Sequence, residues 1–177
     1  KKSGDLISDL GLIWSSPELE LNDIGFMAQT DNIKQWFWMQ YRKLQPKGIT
    51  RWQRYNINQW YEYDFGMRNL GEGYNLNAHI EFKNFWQGGG GITYEVRRTS
   101  NADLRGGPAF RYPGSVNYWL YFGTDSRKKV FGYFNIDHTF GREKYLRNTS
   151  LFVDLVYRPV NALSIAVSPS LSFNENQ

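Results

Sequence analysis

The 177-residue chain contains no cysteine, which excludes disulfide staples, thiol nucleophiles and zinc–thiolate centres together. Histidine is almost as scarce: His79 and His138 stand far apart and are the only imidazoles available as bases or ligands. No apolar run approaches the roughly 20 residues a membrane helix needs, and the mean hydropathy is −0.60. A helical membrane protein is therefore excluded. A β-barrel is not, because its strands show lipid a side chain only at every second position. The 21 basic and 17 acidic residues are interspersed and leave a net charge of +4, without the basic stripe that nucleic acid requires. The opening KKSGDLISDL lacks the apolar core of a signal peptide, so the sequence reads as mature, as a fragment or as never exported.

Aromatic residues are plentiful. Phe, Trp and Tyr make up 18% of the chain, including 7 Trp and 12 Tyr, a share that suits interfacial girdles and also a sugar-binding β-sandwich. Their arrangement is more informative. In GYNLNAHIEF, Tyr74, Leu76, Ala78, Ile80 and Phe82 alternate with Asn75, Asn77, His79, Glu81 and Lys83. Successive side chains of a strand point to opposite faces, so the two faces of this segment meet different surroundings.

The same period recurs along the chain. It predicts strands at about 18–27, 33–44, 49–65, 74–85, 92–98, 116–123, 130–140, 151–158 and 163–173, with almost no helical periodicity. Several windows approach the 9 to 11 residues or so that cross a bilayer at a tilt. The expectation is an all-β, antiparallel transmembrane β-barrel of about eight or nine strands, occupying residues 1–177. Apolar faces would meet outer-membrane lipid, and Arg54, Glu62, His79, Glu81, Lys83, Glu95, Arg97, Asp154 and Arg158, with Arg42, would line the lumen. Charges of both signs there can pair across strands, hold a plug or tune a channel.

Connections carry a second regularity. QPKGI, QGGGGI, TDSRKK and RPVNAL read as short turns on one side, whereas the segment 99–115 reads as a long loop on the other, able to fold inward as a constriction. That asymmetry matches the short periplasmic turns and longer outer loops of bacterial outer-membrane barrels. Nine windows are an odd number and the end, LSFNENQ, lacks a terminal aromatic, so the segment is expected to be part of a larger barrel whose other strands complete its edges.

Two motifs, SPELELNDIGFM at 16–27 and LRGGPAF at 104–110, resemble the C-terminal barrel domain of an uncharacterised Bacteroidota outer-membrane family. The residues carrying the likeness are Asn22, Asp23, Gly25 and Phe26, then Arg105, Gly106, Gly107 and Pro108. In that family a module similar to the family-nine carbohydrate-binding modules precedes the barrel. The resemblance implies a cell-surface protein whose contact with carbohydrate would run through that N-terminal module, which is absent from this sequence.

Chemistry-bearing candidates are few. His138 invites comparison with a membrane-embedded hydrolase, but Asp137 points to the other face and no serine partner is evident. The run Gly88–Gly91 lacks the following helix of a phosphate cradle and reads as a turn. Asp23, Asp31 and Asp103 lack the dense acidic spacing of a calcium loop. The glycosylation-like NTS at 148–150 carries no meaning in a bacterial barrel. Trp36, Trp38, Trp52, Trp60, Trp86 and Trp119 are expected as interface anchors rather than sugar platforms. The reading is therefore non-enzymatic, with no cofactor and no metal. It places the chain in the bacterial outer membrane, serving passage, docking or assembly, with outer-membrane or periplasmic proteins as partners. A soluble carbohydrate-binding β-sandwich and a membrane-embedded hydrolase are the alternatives.

Overall fold

A computed structural model describes residues 4–19, 30–100, 108–144 and 146–176. Ten strands follow one another: β1 (Leu6–Ser15), β2 (Asn32–Lys43), β3 (Thr50–Tyr63), β4 (Asn69–Phe82), β5 (Gln87–Ser100), β6 (Phe110–Gly123), β7 (Val130–Gly141), β8 (Leu146–Val160), β9 (Leu163–Val167) and β10 (Ser170–Asn176). A single turn of 3-10 helix at Arg142–Lys144 precedes β8. All strands join one antiparallel sheet in the order β1-β2-β3-β4-β5-β6-β7-β8-β10, with β9 also paired to β8. The fold is an up-and-down meander, and the sheet is not closed among the described residues.

Register explains why alternation was so regular. Residues directly opposite in an antiparallel pair share a face. One continuous row runs Tyr41, Tyr55, Ala78, Gly90, Leu120, Ile136, Leu151, Leu171. The row one residue along runs Gln40, Asn56, Asn77, Gly91, Trp119, Asp137, Ser150, Ser172. Each strand thus contributes its apolar set to one side of the sheet and its polar set to the other.

Among the described residues no second layer covers either side. Ile7, Leu70 and Val156 are the buried hydrophobic residues among those described, whereas Leu10 is 71% exposed and Leu76 54% exposed. Burying apolar surface is the main driving force of folding, and among the described residues the apolar face of this sheet has little such burial.

Several expectations change. β1 lies before the first predicted strand, while Ser16–Leu19 is a turn region and 20–29 falls outside the described residues. The window 163–173 is one strand broken into β9 and β10, where Pro169 accepts a bond from Val153 N at 3.1 Å. Gly88–Gly91 is not a turn: it lies inside β5, paired on both sides, and the reversal sits at 83–86. The segment 99–115 expected as a long loop is taken up in part by strands, because β5 continues to Ser100 and β6 starts at Phe110, while 101–107 lies outside the described residues. Connections 44–49, 83–86, 124–129 and 161–162 share one end, the short-turn end, and 64–68 and Arg142–Lys144 lie at the other, where 20–29 and 101–107 fall outside the described residues.

Candidate functional site

The polar face is the chemically dense surface. Its centre is a lateral network of side-chain amides. Gln40 donates to Asn56 at 2.8 Å, Asn56 to Asn77 at 2.6 Å, and Asn77 to Asn75 at 2.5 Å. Asn58 also donates to Asn75, which donates in turn to Thr93 at 2.8 Å. Asn117 continues the pattern on the far side, bonding Asp137 at 2.9 Å and Thr139 at 2.9 Å. An amide carries donors and an acceptor together, so neighbouring strands can be stitched without placing net charge between them.

At four places on the same face an aromatic ring lies across a glycine that stands opposite it. A Cβ on Gly11 would fall 2.0 Å from the Trp36 ring, one on Gly73 2.1 Å from Trp60, one on Gly89 2.5 Å from Tyr121, and one on Gly91 2.9 Å from Trp119. These rings reach sideways over the backbone of the paired strand, and only a residue without a side chain leaves the room. Trp119 and Tyr121 lie with centroids 6.0 Å apart and planes 14° from parallel, and Tyr133 continues the row at 5.7 Å and 23°. His79 joins this platform through Nδ1, 3.0 Å from the Tyr121 hydroxyl.

Tryptophan placement therefore departs from expectation. Trp36, Trp38, Trp60 and Trp119 share the polar rows, and Trp52 stands opposite Glu81 on that side too. Trp36 donates to Asp9 and Trp38 to Asn56, both at 3.3 Å. Trp86 instead packs edge-on against Phe122 at 5.4 Å at the short-turn end of the apolar face.

The predicted polar residues are dispersed over this face rather than gathered into one centre. Arg54 stacks its guanidinium on Trp52 and stands opposite His79. Glu62 accepts from Asn32, and Glu81 pairs with Arg51. Glu95 accepts from Ser115 at 3.4 Å and Asp154 from Ser168 at 2.7 Å. Arg158 lies over Phe131 and donates to the Ser126 carbonyl. Arg42 donates to the Gly4 carbonyl. Lys83 is in the 83–86 reversal and exposed, off the strand faces. Arg97 is set apart beside a register shift between β4 and β5. Of the motif residues, Pro108 is exposed at the approach to β6, and Asn22, Asp23, Gly25, Phe26, Arg105, Gly106 and Gly107 lie outside the described residues.

The apolar face has its own order. Tyr41 and Tyr55 stack at 6.4 Å toward the short-turn end, and Tyr61 meets Tyr74 edge-on at 6.2 Å toward the other. Between these rings lie Met39, Ile57, Leu76 and Ile92 in one register row. His138 belongs to this apolar side, opposite Tyr118, with Nδ1 2.7 Å from the Thr149 hydroxyl. Asp137 is turned to the other face, so it does not complete an acid–base–hydroxyl set with His138 and Thr149. Among the described residues no three His, Asp or Glu side chains converge as metal ligands. Asp31 spends its carboxylate on the Phe65 backbone N–H at 2.8 Å, and Asp23 and Asp103 lie outside the described residues.

Two turns are locked by carboxylate clamps. Asp64, fully buried, accepts from Arg68 N at 2.7 Å and Nε at 2.5 Å. Burial pushes its carboxyl up, but the Arg68 backbone and guanidinium outweigh that and hold it below the usual range. In the 124–129 turn the Arg127 guanidinium bonds Asp125 twice at 2.8 Å and draws its carboxyl down to about 2.

The model of a protein family described as a domain of unknown function (DUF5916) matches residues 1–177. No curated protein and no solved structure matches the chain.

Proposed function

The chain belongs to this family of unknown function, and from that premise and its two-faced sheet we propose that it is wall of an outer-membrane β-barrel serving passage, docking or assembly at the cell surface. One observation carries the reading: a meander of strands mostly 12 to 15 residues long has an aliphatic face bordered by rings and left uncovered, backed by a hydrogen-bonded polar face. Lipid is the surrounding that satisfies the first face and a wet lumen the one that satisfies the second. Strands of this length suit a bilayer crossing at a tilt.

The finer likeness, to Bacteroidota proteins that carry an N-terminal carbohydrate-binding module, belongs to the same proposal, with sugar contact assigned to that module. The protein acts without catalysis in this reading, since most polar side chains stitch strands together, and the hydroxyls that meet His138 and His79, those of Thr149 and Tyr121, are taken as strand-pairing partners. The test is fractionation of cells making the full-length protein. Retention in the outer-membrane fraction after carbonate and high-salt washing is the expected result. Release as a monodisperse soluble protein would overturn the barrel and make the Trp119–Tyr121–Tyr133 platform a candidate sugar surface.

A further inference from the structure

At the end of the sheet opposite the 44–49 and 124–129 turns, β5 gains a residue relative to β4: Glu72 pairs with Arg97 while Gly73 pairs with Glu95, leaving Val96 as the extra residue. Such bulges bend a strand and re-aim its side chains. On the other side of β5, Gly114 of β6 comes so close that a Cβ there would lie 2.3 Å from the Val96 carbonyl oxygen. The close approach helps to shape a cavity of 340 Å³ walled by Arg97, Arg111, Arg142 and Glu143. Three strand ends or turns, each distant in sequence, deliver these arginines to one place.

Their electrostatics are unbalanced. None of the three guanidinium groups has an ion pair among the described residues, and Arg97 Nε is buried with no hydrogen-bond partner. Arg142 is steadied from one side by the Tyr94 ring, 5.6 Å from its guanidinium. Glu143, held in the left-handed region at φ 63, is the single carboxylate on the cavity wall among the described residues. Three cations against one anion leave two positive charges facing a common space, and a buried donor without an acceptor is costly. A doubly charged anion with several acceptor oxygens removes both deficits. Guanidinium forks match phosphate oxygens in geometry as well as in charge.

We propose that Arg97, Arg111 and Arg142 form a binding site for a phosphate monoester group. The site stands apart from the polar-face network and does not depend on the barrel reading. A soluble phosphate and the phosphate of a lipid headgroup present the same chemistry.

The test uses the purified full-length protein, the triple variant R97Q/R111Q/R142Q, and a charge-matched control, K47Q/K128Q/K129Q, whose lysines lie at the opposite end of the sheet. Arg111→Gln alone, on an exposed side chain, supplies a variant with little risk to the fold. Calorimetric titration with inorganic phosphate forms one arm. Association with phosphatidylcholine vesicles, with and without phosphatidic acid, forms the other. Loss of phosphate affinity on the order of tenfold or more in the arginine triple, with a smaller loss in Arg111→Gln and none in the lysine control, supports the site and a soluble source. Phosphatidic-acid-dependent binding that only the arginine variants lose, without inorganic phosphate binding, supports the site and a lipid source. Equal behaviour of the original protein and the arginine triple in both arms, or an equal loss in the lysine control, overturns the proposal.

Discussion

Arginine at Leu76 separates a lipid-facing sheet from a water-facing one. Leu76 is 54% exposed and stands in register between Ile57 and Ile92, in the aliphatic middle of the apolar face. If water covers that face, an exposed leucine-to-arginine change costs within about 0.5 kcal/mol. If lipid covers it, an arginine near the bilayer midplane costs about 2–4 kcal/mol, falling to roughly 0–1 kcal/mol near the interface. Val160, 59% exposed beside the 161–162 turn, provides the shallow comparison on the same face. Leu76→Arg should therefore lower the folding equilibrium about 30-fold or more, and Val160→Arg by less than about tenfold. The measurement is guanidinium unfolding of the intact protein in lipid vesicles, followed by the fluorescence of its 7 tryptophans. Two variants with the same small loss would refute the reasoning, because water has no depth.

Acid unfolding tests the 124–129 turn. Because Asp125 is held at about 2 against an ordinary 3.8, its contribution is complete above the ordinary value and vanishes as pH falls through the depressed one. Asp125→Asn should flatten the stability profile between those two pH values, and an unchanged profile would show that the Arg127 clamp does not operate in solution. The ring-over-glycine contacts are tested at Gly73, where Gly73→Val forces the Trp60 ring away and should cost about 1–3 kcal/mol of stability. Introducing Gly73→Val into a Trp60→Ala background should cost much less. An equal cost in both backgrounds would mean that the ring is not what the glycine accommodates.

Face assignment was legible from the sequence because it needs only parity. The alternation at Tyr74–Phe82 gives the same two faces as the register, and the rows through Asn77 and Ala78 follow from it. Parity also held an unused signal for the tryptophans: Trp36 and Trp38 fall in step with Lys34, Gln40 and Arg42, so their side was readable although residue type argued for the membrane interface. Gly88–Gly91 misled because a glycine run ordinarily marks a reversal. Its reason lies in Trp119 and Tyr121 on the next strand, beyond the reach of local pattern. β1 was missed because Ile7 and Ile13 share a face with Asp9, which blurs its alternation. The gathering of Arg97, Arg111 and Arg142 depends on strand order and a bulge, and nothing in their spacing announces it.

The glycine run in β5 has a mechanical consequence. Over four successive positions this strand has no side chains to collide when the sheet curves, so resistance to bending there falls to whatever its neighbours lay across it. On one side those neighbours are Trp119 and Tyr121. On the other they are Ile80 and Phe122 opposite Gly88, and Ala78 and Leu120 opposite Gly90, beside a shallow hollow that Ala78 and Gly90 help to line. β5 is thus a crease between two stiffer panels, β1–β4 and β6–β10, and two rings act as the stop that sets how far the crease closes.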